Sequence, residues 1–283
     1  EILMGKLEFH ILGNHLLENG FALLFAAYYF SDEKFYEKAA TIFWSELKEQ
    51  ILADGAHFEL SPMYHCMILY RILEAYDLCS NNDFEGSSEL AKLLDQKASI
   101  MLNWLKNMEF RNGILPAVND STNEIAPPSE SLFQKAKQLN IVPTDLSLTD
   151  SGYRKLTSKR MEMLVDVGKV GPSYIPGHAH SDSLNFILHI DLKPIIVDTG
   201  TSTYEKDKRR FSERKTSAHN TVEINGQDQS QVWGGFRMAR KANITKLNTG
   251  NNVVTASHDG YEVYGCSHTR TFELKDQYLA LED

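Results

Sequence analysis

Gly177-His178-Ala179-His180-Ser181-Asp182 sets two imidazoles and a carboxylate at every second position. In an extended chain such side chains share one face. At the same parity that face continues into Leu184, Phe186, Leu188 and Ile190, so the spacing predicts histidines turned toward a core. Buried polar groups without partners cost about 1–3 kcal/mol each, so both imidazoles need partners. A metal would satisfy them, and His180, Asp198 and His219 form a His-Asp-His set suited to zinc. Ordinary hydrogen bonds would satisfy them equally. Hairpin spacing does not favour the metal. With a turn near Leu192, Asp198 falls opposite Phe186, about 20 Å from His180 at about 3.3 Å per residue, unless the chain at 177–183 curls back.

Three further groups could do chemistry. Asn14-His15 precedes Glu18, and at helical spacing His15 and Glu18 can touch, which would fix the imidazole's tautomer. The same residues also read as a solvated polar stripe. Ser61-Pro62-Met63-Tyr64-His65 reads as a helix start, with serine at the cap and proline at the first position. Tyr64 then lies in the first turn, where the helix dipole favours a tyrosinate. A half-buried structural tyrosine is the other reading. Lys206, Lys208, Arg209, Arg210, Arg214 and Lys215 make a locally basic stretch, interrupted by Glu205, Asp207 and Glu213. Such a surface can attract an anionic polymer, or be only a solvated loop.

The elements that must position these groups change type along the chain. Residues 14–30 carry Leu16, Leu17, Leu23, Leu24 and Ala27 at helical spacing, and residues 33–51 repeat it with Phe35, Ala39, Ile42, Phe43 and Leu47. Ser31 is the expected cap between them. Helices are also expected from Ser61 to about Leu78 and over about 87–108. Pro116, Pro127-Pro128 and Pro143 punctuate residues 111–156, read as a linker with a short helix near 129–139. Strands are expected from about 157, including 194–197 and 221–224, the last ending in an Asn225-Gly226 turn. Helices followed by strands predict an α+β multidomain layout, divided as 1–110, 111–156 and 157–283.

Composition narrows the class. The 283 residues are 42% hydrophobic and 24% charged, which suits a packed globular protein. Phe21–Phe30 is the most apolar run and is too short to span a membrane. A formal net charge of −9 argues against a dedicated nucleic-acid binder. The three cysteines give neither a disulfide scaffold nor a zinc ribbon. The chain begins at Glu1 within a helical pattern and ends without a closing element, so a piece of a longer protein is expected.

Taken in order, five segments resemble the heparinase II/III-like polysaccharide lyases. They are Asn14-His15-Leu16-Leu17-Glu18-Asn19-Gly20, Asp54-Gly55-Ala56-His57-Phe58-Glu59-Leu60-Ser61-Pro62-Met63-Tyr64-His65, Gly177-His178-Ala179-His180-Ser181-Asp182, Val197-Asp198-Thr199-Gly200-Thr201 and Ala218-His219-Asn220-Thr221-Val222. The resemblance implies part of an α/α toroid of paired helices followed by the start of an antiparallel β-sandwich domain. It implies β-elimination at a uronic acid of an acidic polysaccharide. On that match Asn14, with His15, would neutralise the substrate carboxylate. Tyr64 would be the acid and also a candidate base, and His178 a second base, replaceable by His15 for the opposite C5 stereochemistry. Tyr204 corresponds loosely to a further tyrosine. Glu18, His65, Arg209 and Arg210 would contact substrate. His180, Asp198 and His219 would hold a structural zinc or other divalent metal. A periplasmic or secreted bacterial location is implied, although this N-terminus gives no compartment. The family pattern departs at Asp191-Leu192, where a glycine is usual. Two other functions fit the same residues: a catalytically silent glycan-binding or polysaccharide-assembly protein, and a zinc hydrolase that activates water at His180, Asp198 and His219.

Overall fold

The structure is a computed structural model and describes residues 2–82 and 84–283. The chain forms two compact units. The first holds the residues up to Phe58 together with Tyr64–Leu105 and Ala126–Leu146. The second holds Glu59–Met63, Lys106–Ile125 and Ser147–Asp283.

The first unit is helical. Helices α1 (Gly13–Phe30) and α2 (Glu33–Gln50) bury the apolar faces read from the sequence, with Leu16, Leu17, Leu23, Leu24, Ala27, Ala39, Ile42, Phe43 and Leu47 inside. Gly20 lets the two approach, since a Cβ there would lie 2.9 Å from Ile42 Cγ2. Phe21 and Phe43 then meet edge to face at 4.9 Å. Ser31 is not the cap of α2. It ends α1 in a left-handed conformation, φ +54°, and Asp32 caps α2 by accepting from Lys34 N and Phe35 N. An aspartate directly after the left-handed residue has the extended backbone a cap requires. α3 (Pro62–Asn81) begins at the proline, as expected, and α4 (Ser87–Met108) and α5 (Ser129–Gln138) follow. Among the described residues no helix is long and apolar enough to cross a membrane.

The second unit is built on two four-stranded antiparallel sheets. The first runs β1 (Tyr153–Thr157), β2 (Met161–Asp166), β3 (Phe186–Ile190) and β4 (Lys193–Ile196) in sequence order. After the short helix α6 (Lys208–Glu213) and the small hairpin β5 (Val232–Gly234) and β6 (Arg237–Met238), the second comprises β7 (Ile244–Gly250), β8 (Val253–His258), β9 (His268–Leu274) and β10 (Leu279–Glu282). Leu156, Met163, Val165, Phe186 and Leu188 of one sheet share a core with Val254, Ala256, Phe272 and Leu274 of the other, which is sandwich packing.

Several expectations shift. The stretch 111–156 does not act as one linker, because residues as far as Ile125 lie in the β unit, Ala126–Leu146 lie with the helices, and β1 opens at Tyr153. Residues 221–224 form no strand, only a bridge from Ile224 to Gln227 around the Asn225-Gly226 turn. The β3–β4 turn keeps positive φ at both Asp191 (+49°) and Leu192 (+66°), so the leucine occupies the glycine's usual conformation.

Candidate active site

In the helical unit the start of α1 carries Asn14 and His15. Leu12 (φ +63°) and Gly13 (φ +58°) turn the chain sharply into the helix. Left-handed conformations at non-glycine residues cost about 1–3 kcal/mol and persist only where their surroundings hold them. Buried Gln50 does so, donating through Nε2 to Gly13 O at 2.8 Å and to Glu46 Oε2 at 2.9 Å. Its Oε1 meets His57 Nε2 at 3.0 Å. The His57 amide donates to His65 Nδ1 at 3.3 Å, and His65 Nε2 bonds Met101 O at 3.1 Å. A polar thread thus ties the turn before Asn14 to the residue after Tyr64. Gln50→Leu removes a second donor from the Gly13 carbonyl and strands one His57 nitrogen, so it should cost about 1–3 kcal/mol, read by denaturant unfolding; an unchanged midpoint would show the thread to be ornamental.

That thread engages His65. The ring is fully buried, burial pushes its pKa down to about 3, and both nitrogens serve the fold. Tyr64, one residue earlier on α3, is half-buried. His15 is exposed and lies 3.9 Å from Glu8, while Glu18 pairs with Arg71 at 3.6 Å. The expected His15–Glu18 pair is therefore exchanged for two others.

In the β unit the chain does curl back. Leu184 takes φ +62°, which ends the alternation that spacing alone carries from β3 to His178. The 177–185 loop then folds over residues 119–121. Asp120 N donates to His178 O, and His180 N donates to Asn119 Oδ1 at 3.0 Å. Gly200 completes the approach, because a Cβ there would lie 2.2 Å from Ser121 O.

The centre of this arrangement is Asp120, which sequence reasoning missed. Its carboxylate is fully buried and accepts from His178 Nδ1 (2.8 Å), His180 Nε2 (2.8 Å) and both terminal nitrogens of Arg210. Burial alone would raise its pKa, but these bonds hold it well below the usual carboxylate range. Arg210 is likewise fully buried, with Nε on Gly235 O at 3.0 Å. The residue expected at substrate is thus engaged by a buried carboxylate. Arg209 remains exposed and pairs with Glu213 at 3.1 Å. His178 keeps an exposed edge, with the rings of Tyr204 and Phe236 each 6.2 Å away. Tyr204 is partly exposed and lies over the Arg210 guanidinium at 5.2 Å. Glu59 is also buried here, and burial lifts its carboxyl to about 7 against the pull of His178.

Beside this lies the expected metal set. The rings of His180 and His219 are 5.3 Å apart. Asp198 Oδ2 accepts from His219 Nδ1 at 2.9 Å and from Asn185 Nδ2 at 2.6 Å. Among the described residues no three His, Cys, Asp or Glu side chains form a ready-made cage. Even so, His180 Nδ1, His219 Nε2 and Asp182 Oδ2 are buried without a hydrogen-bond partner. Both histidines also have a carboxylate on their opposite nitrogen, the usual support for a metal-binding imidazole. Burial and mutual repulsion raise the pKa values of Asp166 and Asp182 despite the nearby imidazoles. These donors suit a divalent cation.

Known proteins share both halves. The heparinase II/III N-terminus matches residues 6–144, and the heparinase II/III-like C-terminal domain matches residues 141–283. A heparin-sulfate lyase of Pedobacter heparinus is 25% identical over 95% of this chain and 44% of its own length. A heparin-sulfate lyase of Bacteroides stercoris is 25% identical over 80% and 39%. Among solved structures, a heparinase III gene product matches with a TM-score of 0.72 at 18% identity, covering 99% of this chain and 46% of its own. A heparan sulfate lyase from Pedobacter heparinus matches at 0.69 and 22%, with the same coverage of each chain. The chain spans less than half the length of these relatives. With a helical unit and a β-sandwich unit in the same order, and a family model over each half, the chain belongs to the heparinase II/III-like family.

Proposed function

We propose that the full-length protein is a polysaccharide lyase that cleaves a uronic-acid-containing glycan by β-elimination, and that its helical unit is part of an α/α toroid. The observation that carries the reading is His178, partly exposed, with Nδ1 anchored on an ionised carboxylate. That is how a general base is prepared. The curated relatives are heparin-sulfate lyases, so heparan-type chains are the first substrates to try.

The C5 proton of a uronate is weakly acidic because it adjoins a carboxylate. The Asn14 amide, with His15, would hydrogen-bond that carboxylate and stabilise the enediolate as charge develops. His178 or Tyr64 would take the C5 proton. The C5–H pair becomes the C4–C5 double bond, the C4–O bond breaks, and Tyr64 protonates the leaving oxygen. Tyr204 beside His178, and Arg209 and Glu18 at exposed or half-exposed positions, are the proposed substrate contacts. His180 through Nδ1 and His219 through Nε2, with a carboxylate from Asp198 or Asp182, would hold zinc. When bound, the metal would cross-link the 177–185 loop to the segments carrying Asp198 and His219.

Incubation of the full-length protein with heparan sulfate, hyaluronan or alginate should release a 4,5-unsaturated product that absorbs in the ultraviolet. Polymer binding without such a product, unchanged by Tyr64→Phe, would point to the silent glycan-binding protein instead. Metal analysis should find about one zinc per chain, lost in His180→Ala, with the melting temperature lowered by roughly 5 °C or more. No metal in either protein would remove the structural zinc. A saturated product, with activity abolished at once by a chelator, would favour hydrolysis.

A further inference from the structure

One salt-bridge partner is enough for a buried carboxylate, and Arg210 already supplies it bidentately to Asp120. The two imidazoles on the same carboxylate therefore need another explanation. An ionised carboxylate only accepts hydrogen bonds, so each ring must present a protonated nitrogen to it. His178 meets Oδ2 through Nδ1, while His180 meets Oδ1 through Nε2. One side chain thereby imposes opposite tautomers on two histidines two residues apart. His178 carries its lone pair at Nε2, and His180 carries its lone pair at the buried Nδ1.

We propose that Asp120 is the positioning residue of the elimination. It fixes the His178 ring with Nδ1 as the donor, so that Nε2 is the nitrogen able to act as the base, and with the same carboxylate it leaves the buried Nδ1 of His180 as that ring's acceptor. The role in the reaction rests on the lyase reading; the two tautomers do not. Arg210 completes the device by pairing with the same carboxylate. The backbone is stitched in the same register, by Asp120 N to His178 O (3.1 Å) and Asn119 Oδ1 to His180 N. Asn119 takes φ +52° to make this possible and is held by Leu60 O and the Tyr153 hydroxyl. The carboxylate cannot be exchanged for an amide without loss. Asparagine offers one accepting oxygen, and its NH₂ would face one imidazole and force that ring into the other tautomer. In a Ser-His-Asp site the comparable aspartate-to-asparagine change lowers kcat by about 10⁴.

The test uses the full-length protein labelled with ¹⁵N-histidine. Long-range ¹H–¹⁵N spectra of the wild type should show His178 as the Nδ1–H tautomer and His180 as the Nε2–H tautomer. In Asp120→Asn at least one ring should change tautomer, and kcat on a uronate polymer should fall by about 10²–10⁴ with KM within about threefold. His178 in the Nε2–H form in the wild type would overturn the proposal, and that result needs no variant to fold. So would a folded Asp120→Asn protein that keeps both tautomers and its kcat. Absence of any unsaturated product from the wild type would instead sink the lyase reading and leave the tautomer result to judge the positioning.

Discussion

Tyr64→Phe in the full-length protein should lower kcat on a uronate polymer by about 10²–10⁴ and move KM less than about threefold. The change removes one oxygen and leaves the ring, so packing and most substrate contacts survive. On the proposed mechanism, what disappears is the proton for the C4 leaving oxygen, needed only as the C–O bond breaks. An interaction made only in the transition state appears in kcat rather than in KM. The ring should hold its place, because the following residue, His65, is locked to His57 N and Met101 O. A variant with near-normal kcat would remove Tyr64 from the chemistry. A variant whose KM rose instead would reduce it to a binding contact.

The second large effect is expected at Asn14. Asn14→Ala should lower kcat by about 10²–10³, the usual cost of losing one donor aimed at a developing oxyanion. Asn14→Asp is the sharper control. It keeps the size but sets a carboxylate against a carboxylate, so it should be at least as damaging as alanine and should raise KM as well. Both variants should keep the wild-type melting temperature within a few degrees. The turn is held through the Gly13 carbonyl by Gln50. Asn14→Asp activity above that of Asn14→Ala would show that the amide does not face the substrate's charge.

The β-unit site was legible in pieces. The segment at 177–182 stood out by composition, and the structure does bring His180, Asp198 and His219 into one neighbourhood. The parity argument that accompanied it failed at one residue. Leu184 leaves the extended conformation, and beyond that point the loop no longer follows the strand's period. Arg209 and Arg210 show the same limit. They are identical in type and adjacent in sequence, yet one is exposed and pairs within its own helix while the other is buried on Asp120. Nothing local separates them, because the difference is made by a carboxylate 90 residues away. Tyr64 and His65 divide likewise, the half-buried tyrosine beside a histidine spent on the core.

The sequence by itself determined the order of helices and strands, the start of α3 at Pro62, the buried faces of α1 and α2, and the residue types available for acid–base and metal chemistry. These depend on neighbours within a few positions, where periodicity and capping act. Only the tertiary structure decided that Asp120 accepts from both His178 and His180, that Arg210 pairs with the same carboxylate, and that residues 111–125 join the β unit. Those outcomes depend on which buried donor meets which buried acceptor across 58 to 90 residues, and such pairing leaves no period in the chain. It is settled by the cost of leaving a charge or a polar atom alone in a closed interior.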